Sequence, residues 1–211
     1  MIDDRISDED QEAVERFFTE AIMPLMRRNA WGEAVACLQG ELERESGIGR
    51  RLLLMSHLSH VLIVDGRDDE ALAVIHKMIE LAPEDPLNWS RLAAWHFYSH
   101  GFYDAGLEHL GPALRAIDTA ISKARASGYL LRYCLNDRCR IAVAMKRYDL
   151  LEETMREILA IPPRRGVPDI RIEDDFLQLI PEGAVDARLL ADYRTAYADQ
   201  ESRRASSPPS S

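Results

Sequence analysis

The sequence predicts an all-α chain of antiparallel helix pairs, and three observations predict it. Apolar residues recur at helical spacing through most of the 211 residues. No Val/Ile/Thr run with period two, bounded by turn residues, stands out as a strand. A short polar or glycine-bearing turn recurs ahead of every second helix, as RNAWGEA, DGRDDEA, HGFYDAG and MKRYDLL. The spacing predicts helices over residues 9–28, 32–45, 51–64, 68–81, 86–99, 103–126, 129–146 and 149–161.

Taken in order, residues 1–12 form an acidic N-terminal segment ahead of a helical-repeat domain over 13–163. Aligning the recurrent turns puts Trp31, Asp68, Tyr103 and Tyr148 in one column, at intervals of 37, 35 and 45 residues, so the period is close to 34 with insertions. Pro24 lies inside the first predicted helix, and about eleven residues are inserted around DTAISKARASG. A C-terminal loop and capping helix follow over 164–200. The loop, PPRRGVPDI, is too rich in proline for a helix and leads through DDFLQLI to VDARLLADYRTAYAD, where Val185, Leu189, Tyr193 and Tyr197 recur every fourth residue. Residues 201–211, ending SRRASSPPSS, read as a disordered tail.

The column pattern resembles the tetratricopeptide repeat, best over residues 52–118. One unit carries Leu58, Gly66, Ala71, Ile75, Met78 and Pro83, and the next opens with Trp89, Leu92 and Ala93 and continues with Gly101, Tyr103, Gly106, Leu110, Ala113 and Leu114. Flanking units offer Phe18, Ala21, Leu25, Trp31, Ala34 and Leu38 on one side, and Leu135, Tyr148, Met155, Ile158 and Pro163 on the other, with Arg138 where a leucine is expected. The resemblance implies a solenoid of three to four helix pairs closed by the C-terminal helix. Small residues let paired helices approach, large apolar residues fill the gaps, and stacking supplies a continuous core. It implies burial of Ile75, Trp89, Leu92 and Leu114.

Composition narrows the function. With 46% hydrophobic and 29% charged residues the chain can bury a core, and its length suits one folded unit. A net charge of -10 without basic runs interleaved with aromatics disfavours nucleic acid. The opening MIDDRISDEDQE is acidic where a secretory signal is basic and then apolar, and no stretch of about 18 apolar residues offers to span a membrane, so a cytoplasmic location without membrane insertion is expected. The mixed-sign polar face of the C-terminal helix does not suit an anionic lipid surface either.

Catalytic and metal-binding readings have few residues to stand on. His57 and His60 lie three apart on one helix, and His96 and His100 four apart on a later one, but these faces are not expected to converge on a metal, and ordinary half-buried or surface histidines are the simpler account. Cys37, Cys134 and Cys139 read as reduced thiols; the last two, five residues apart on a helix, point about 140° from each other. No Gly-x-Ser-x-Gly nucleophile or phosphate loop is present. Asp69 and Glu70 in RDDEALAVIHK fall in the first turn of a helix, where the macrodipole favours negative charge, and the charged loop RRGVPDIRIEDD reads as a solvated connection. No enzyme activity and no cofactor are expected.

The resemblance instead implies a module that holds a protein or peptide partner in a concave groove. Mapped onto this sequence, the inward positions of the first helices include Met23 and Arg27, then His60 and Val64, then Ala94, Phe97 and Tyr98, then Tyr133, Asn136 and Arg140. The mapped lining holds no carboxylate, which suits an apolar or amphipathic peptide carrying a carboxylate or two. Phe97 and Tyr98 would be the aromatic anchors. Another reading has the inserted or C-terminal segment folded onto these positions. A chaperone similar to the bacterial type III secretion translocator chaperones is the alternative function, and a histidine-based metal protein or enzyme a further one.

Overall fold

The computed structural model describes residues 8–99, 106–128, 130–162 and 176–206, without the side chains of Asp8 and 200–206. Among the described residues all regular structure is helical and no strand occurs. The chain divides into two compact units, Met1–Glu84 and Asp85–Ser211, where its length had suggested one. Their boundary falls in the turn between Pro83 and Pro86. Ala82, ahead of the first proline, leaves the helical region (φ -144°, ψ 75°), as the clash with a following pyrrolidine ring requires.

The first unit holds α1 (Asp8–Phe17), a π turn (Phe18–Ile22), α2 (Met23–Arg27), α3 (Trp31–Arg44), α4 (Ile48–Val64) and α5 (Asp68–Leu81). The helix expected over 9–28 is therefore interrupted. Pro24 has no N–H for the carbonyl one turn back, and the chain widens into the π turn immediately before it. α3 packs on α4, α4 on α5, and α1 lies along α4. Ala34 and Ala71, both fully buried, keep the helices close, while Ile22, Leu38, Leu62 and Ile75 fill the interior. Arg50 Nε donates to Asp10 Oδ1 at 2.7 Å, tying α4 to α1. Arg51 Nη1 donates to the carbonyls of Leu42 and Glu45, both at 2.9 Å, and so satisfies the C-terminal end of α3.

One backbone turn recurs at three places. Asn29, Gly66 and Lys146 all take positive φ, at 58°, 73° and 56°. In each case the next residue donates its N–H five residues back: Ala30 to Leu25, Arg67 to Leu62 and Arg147 to Ala142. The positive-φ residue itself bonds three back, to Met26, Ile63 and Val143, which is the Schellman arrangement that ends a helix. Each stands two residues ahead of the aligned column at Trp31, Asp68 and Tyr148. The equivalent of the third column residue, Tyr103, lies outside the described residues. Gly66 leaves open space where a Cβ would stand, so Gly66→Ala is opposed by backbone conformation alone. Urea unfolding should register a loss of about 1 kcal/mol.

The second unit holds α6 (Pro86–Tyr98), α7 (Leu107–Ser127), α8 (Leu131–Ala144), α9 (Tyr148–Ala160), a 3₁₀ turn (Phe176–Leu179) and α10 (Ala187–Ser206). α6 starts as its sequence directs: Asp85 accepts from the N–H of Leu87 at 2.9 Å and Pro86 fills the first helical position. Successive helices pack in pairs, α6 on α7, α7 on α8 and α8 on α9; α6 also meets α8, and α10 lies on α9. The inserted DTAISKARASG lengthens α7, which ends at Gly128 in the left-handed region (φ 70°). Ala113, Ala116, Ala120 and Ala124 line its inner face, all buried. The stripe of α10 also turns inward, with Val185, Leu189 and Tyr193 buried and Tyr197 half-buried. Residues 201–206 of the expected disordered tail continue this helix.

Ile75 is fully buried as expected, but Trp89, Leu92 and Leu114 are only half-buried against the second core. Trp89 keeps one ring face under the Lys123 ammonium, 5.8 Å from its centroid. Truncating Leu92 should accordingly fall below the full cavity effect of a filled core site. No described helix is long and apolar enough to cross a membrane.

Candidate partner-binding site

The predicted positions divide between the two units. In the first, Met23 is half-buried and Arg27 exposed on α2, while His60 and Val64 are exposed in the last two turns of α4. Val64, at 47% exposure, is among the most exposed large apolar side chains described. In the second, Ala94, Tyr98 and Tyr133 are half-buried, but Phe97, Asn136 and Arg140 are buried. Phe97 belongs to the core, edge-on to Tyr98 at 5.2 Å, and so holds the end of α6 to the unit.

What brings the second-unit residues together is α8, a helix whose polar side chains are unusually buried. Arg132, Asn136 and Arg140 succeed one another every fourth residue along one face, at 7%, 1% and 4% exposure. Arg140 Nη1 donates to Tyr98 Oη at 3.1 Å and stands 3.7 Å from Asp137 Oδ1, while Ser90 Oγ donates to Asp137 Oδ2 at 3.0 Å. This line joins α6 to α8. The mapped lining held no carboxylate, yet Asp137 stands directly beside it. Its signal in the sequence was the three-residue spacing to Arg140.

From the C-terminal side, Tyr193 of α10 donates its hydroxyl to Asn136 Oδ1 at 2.8 Å, and its ring meets Phe176 edge-on at 6.3 Å. Burial raises the phenol pKa well above its ordinary value, so this hydroxyl remains a donor throughout the physiological range. At the start of α10, Asp186 caps the helix by accepting from Leu189 N–H at 2.8 Å, and its own N–H donates to Glu152 Oε1 of α9 at 2.8 Å. The seat of α10 thus has a polar contact at each end of a buried Val185–Leu189–Tyr193 stripe.

Glu152 has a lowered pKa, first because of the Asp186 N–H and then because of the Arg156 guanidinium 2.6 Å away. A depressed folded-state value stabilises above the ordinary 4.5 and is lost as pH falls through the lower folded value. We expect the stability of the second unit to fall below pH 4.5, and to fall less steeply in Glu152→Gln. Equal slopes in acid titrations of the two proteins would remove Glu152 from the seat.

The opposite face of α8 carries Arg138, at the position where the repeat pattern expects leucine. Its Nε donates to Thr154 Oγ1 at 3.0 Å and its Nη2 to Glu157 Oε2 at 3.3 Å, with Asp118 at 3.7 Å. Glu157 also accepts from Arg125 at 2.6 Å. A guanidinium here joins α8 to α9 by directed bonds, and faces α7 through charge, where a leucine would pack.

His57 and His96 have local partners. His57 stacks on Phe18 at 4.1 Å and stands 3.8 Å from Glu15, and His96 meets Trp95 edge-on at 4.9 Å. His100 lies outside the described residues, as do the loop RRGVPDIRIEDD and Pro163. Among the described residues no group of three His, Cys, Asp or Glu side chains is placed to hold a metal. Cys134 and Cys139 are buried, and burial pushes both thiols up, away from the thiolate that nucleophilic chemistry needs. Glu70, in the first turn of α5, accepts two bonds from Arg67 at 2.7 Å.

Compared with protein-family models, with curated proteins and with solved structures, the chain matches none.

Proposed function

We propose that the chain is a tetratricopeptide-like solenoid of helix pairs that works as a cytoplasmic protein-interaction module, taking an apolar or amphipathic segment of a protein partner against its first-helix positions. The observation that carries this reading is the threefold recurrence of one Schellman turn, at Asn29, Gly66 and Lys146, each in the same place relative to the aligned columns. A turn repeated in backbone detail supports repeated helix pairs, and stacked helix pairs make extended surfaces that such proteins use for partners.

The exposed first-helix residues support a place for that partner. His60 and Val64 stand one turn apart at the end of α4, with Val64 leaving an isopropyl group in water. Affinity capture from the source cells, using wild type and a His60→Glu, Val64→Asp variant, tests the reading. Both positions are exposed, so the variant should stay folded, with its urea midpoint lowered only slightly by negative charge at a helix C-terminus. Loss of a protein captured stoichiometrically by wild type is the expected result. Capture of the same proteins in the same amounts by both would refute this placement of the partner.

A further inference from the structure

We infer that α10 is a displaceable internal ligand: it occupies a docking face on α8 and α9 that fits an external amphipathic helix presenting an aliphatic–aliphatic–tyrosine stripe at four-residue intervals. The inference deepens the proposed function, and it rests on that reading for its biological use but not for its test.

The face is defined by what now covers it. Val185, Leu189 and Tyr193 are buried at 7%, 8% and 0% exposure, while Arg188, Ala191 and Asp192 between them, and Arg194 beyond, are exposed, so the helix is held along one stripe. Asn136, itself 1% exposed, supplies an acceptor for a tyrosine hydroxyl, and Phe176 supplies the ring beside it. Such a combination selects chemistry. A phenylalanine at the tyrosine position would leave the Asn136 carbonyl buried without that donor, and a charged residue would be buried against the core.

The occupant is tethered and polar on its outer side, and it follows Gly183, which takes φ 77° just ahead of the helix. A helix carried on the same chain occupies its seat at an effective concentration that a free helix of the same stripe must compete with. A free helix of the same stripe is therefore excluded from the wild-type face and admitted when the tethered copy is weakened. A partner carrying this stripe would bind only as α10 leaves, and α10 would set the threshold for binding.

The probe is a fluorescein-labelled peptide of residues 184–200, AVDARLLADYRTAYADQ, added to the full chain. Wild type should bind it at least about tenfold more weakly than a full-length Leu189→Asp variant, in which the tethered helix carries a carboxylate on its buried stripe. A peptide with alanine in place of Tyr193 should lose binding to that variant. If the variant retains its helical circular dichroism and does not bind the native peptide, the inference is overturned. Should Leu189→Asp unfold the chain, hydrogen exchange on wild type decides. Amides of α10 should then exchange at least about tenfold faster than the inner amides of α8 and α9, and equal protection would overturn the inference. Peptide binding without any His60- and Val64-dependent partner would leave the face standing and remove the placement of a partner at those two residues; the reverse result would do the opposite.

Discussion

Arg140→Ala should destabilise the second unit by about 3 kcal/mol, read as a lowered urea midpoint. Arg140 is 4% exposed, donates to Tyr98 at 3.1 Å and faces Asp137 at 3.7 Å. Removing the guanidinium deprives a carboxylate that is itself only 17% exposed of its cationic neighbour, and takes a donor from the Tyr98 hydroxyl. The expected loss is mainly that of removing the guanidinium charge from beside a largely buried carboxylate that keeps its Ser90 bond, which is why Arg140→Ala combined with Asp137→Asn should be less damaging than the single change. Arg140→Lys should recover part of the loss, since it restores the charge but not the planar fork that reaches two partners. A loss below about 1 kcal/mol for the single alanine variant would show that the α6–α8 line contributes little beyond packing.

Tyr193→Ala should have a comparable effect, about 3 to 5 kcal/mol if its site is a filled core position. Tyr193→Phe should lose about 1 to 2 kcal/mol, because the ring and its edge-on contact with Phe176 remain while Asn136 Oδ1 loses its donor. The larger figure has a ceiling. α10 is the last described helix, and once it has left its seat further damage to Tyr193 has no effect on α6–α9. Hydrogen exchange should therefore show α10 amides accelerated in the alanine variant with the slowest amides of α8 and α9 unchanged. Uniform acceleration throughout the second unit would instead make α10 part of one cooperative fold with the other helices.

The helices were legible because each announces itself locally. The turns at RNAWGEA, DGRDDEA and MKRYDLL end helices with the same backbone, and their columns could be aligned before any contact was known. The π turn ahead of Pro24 was half-legible: proline marked the place, but whether the helix would break or widen depended on packing around Ile22, which is fully buried. Trp89, Leu92 and Leu114 were placed in the core by their columns and are half-buried, since repeat position specifies which way a side chain faces but not how deeply its neighbours cover it.

The site was less legible for a physical reason. Asn136 and Arg140 were found as inward positions of a first helix, and the C-terminal stripe was found as a four-residue period, but nothing local says that Tyr193 reaches Asn136 across 57 residues of chain. Asp137 could be passed over because its role depends on Ser90, 47 residues earlier, as well as on its near neighbour Arg140.

By itself, then, the sequence determined the helical class, the positions of the turns and which face of each helix is apolar, because these follow from backbone propensity and short-range periodicity. Only the tertiary structure decided that the chain forms two compact units, that Arg138 stands in a leucine position through bonds to Thr154 and Glu157, and that α10 covers Asn136. Those outcomes depend on groups distant in sequence meeting in an interior where an unsatisfied polar atom is costly, and such pairings leave no periodic trace along the chain.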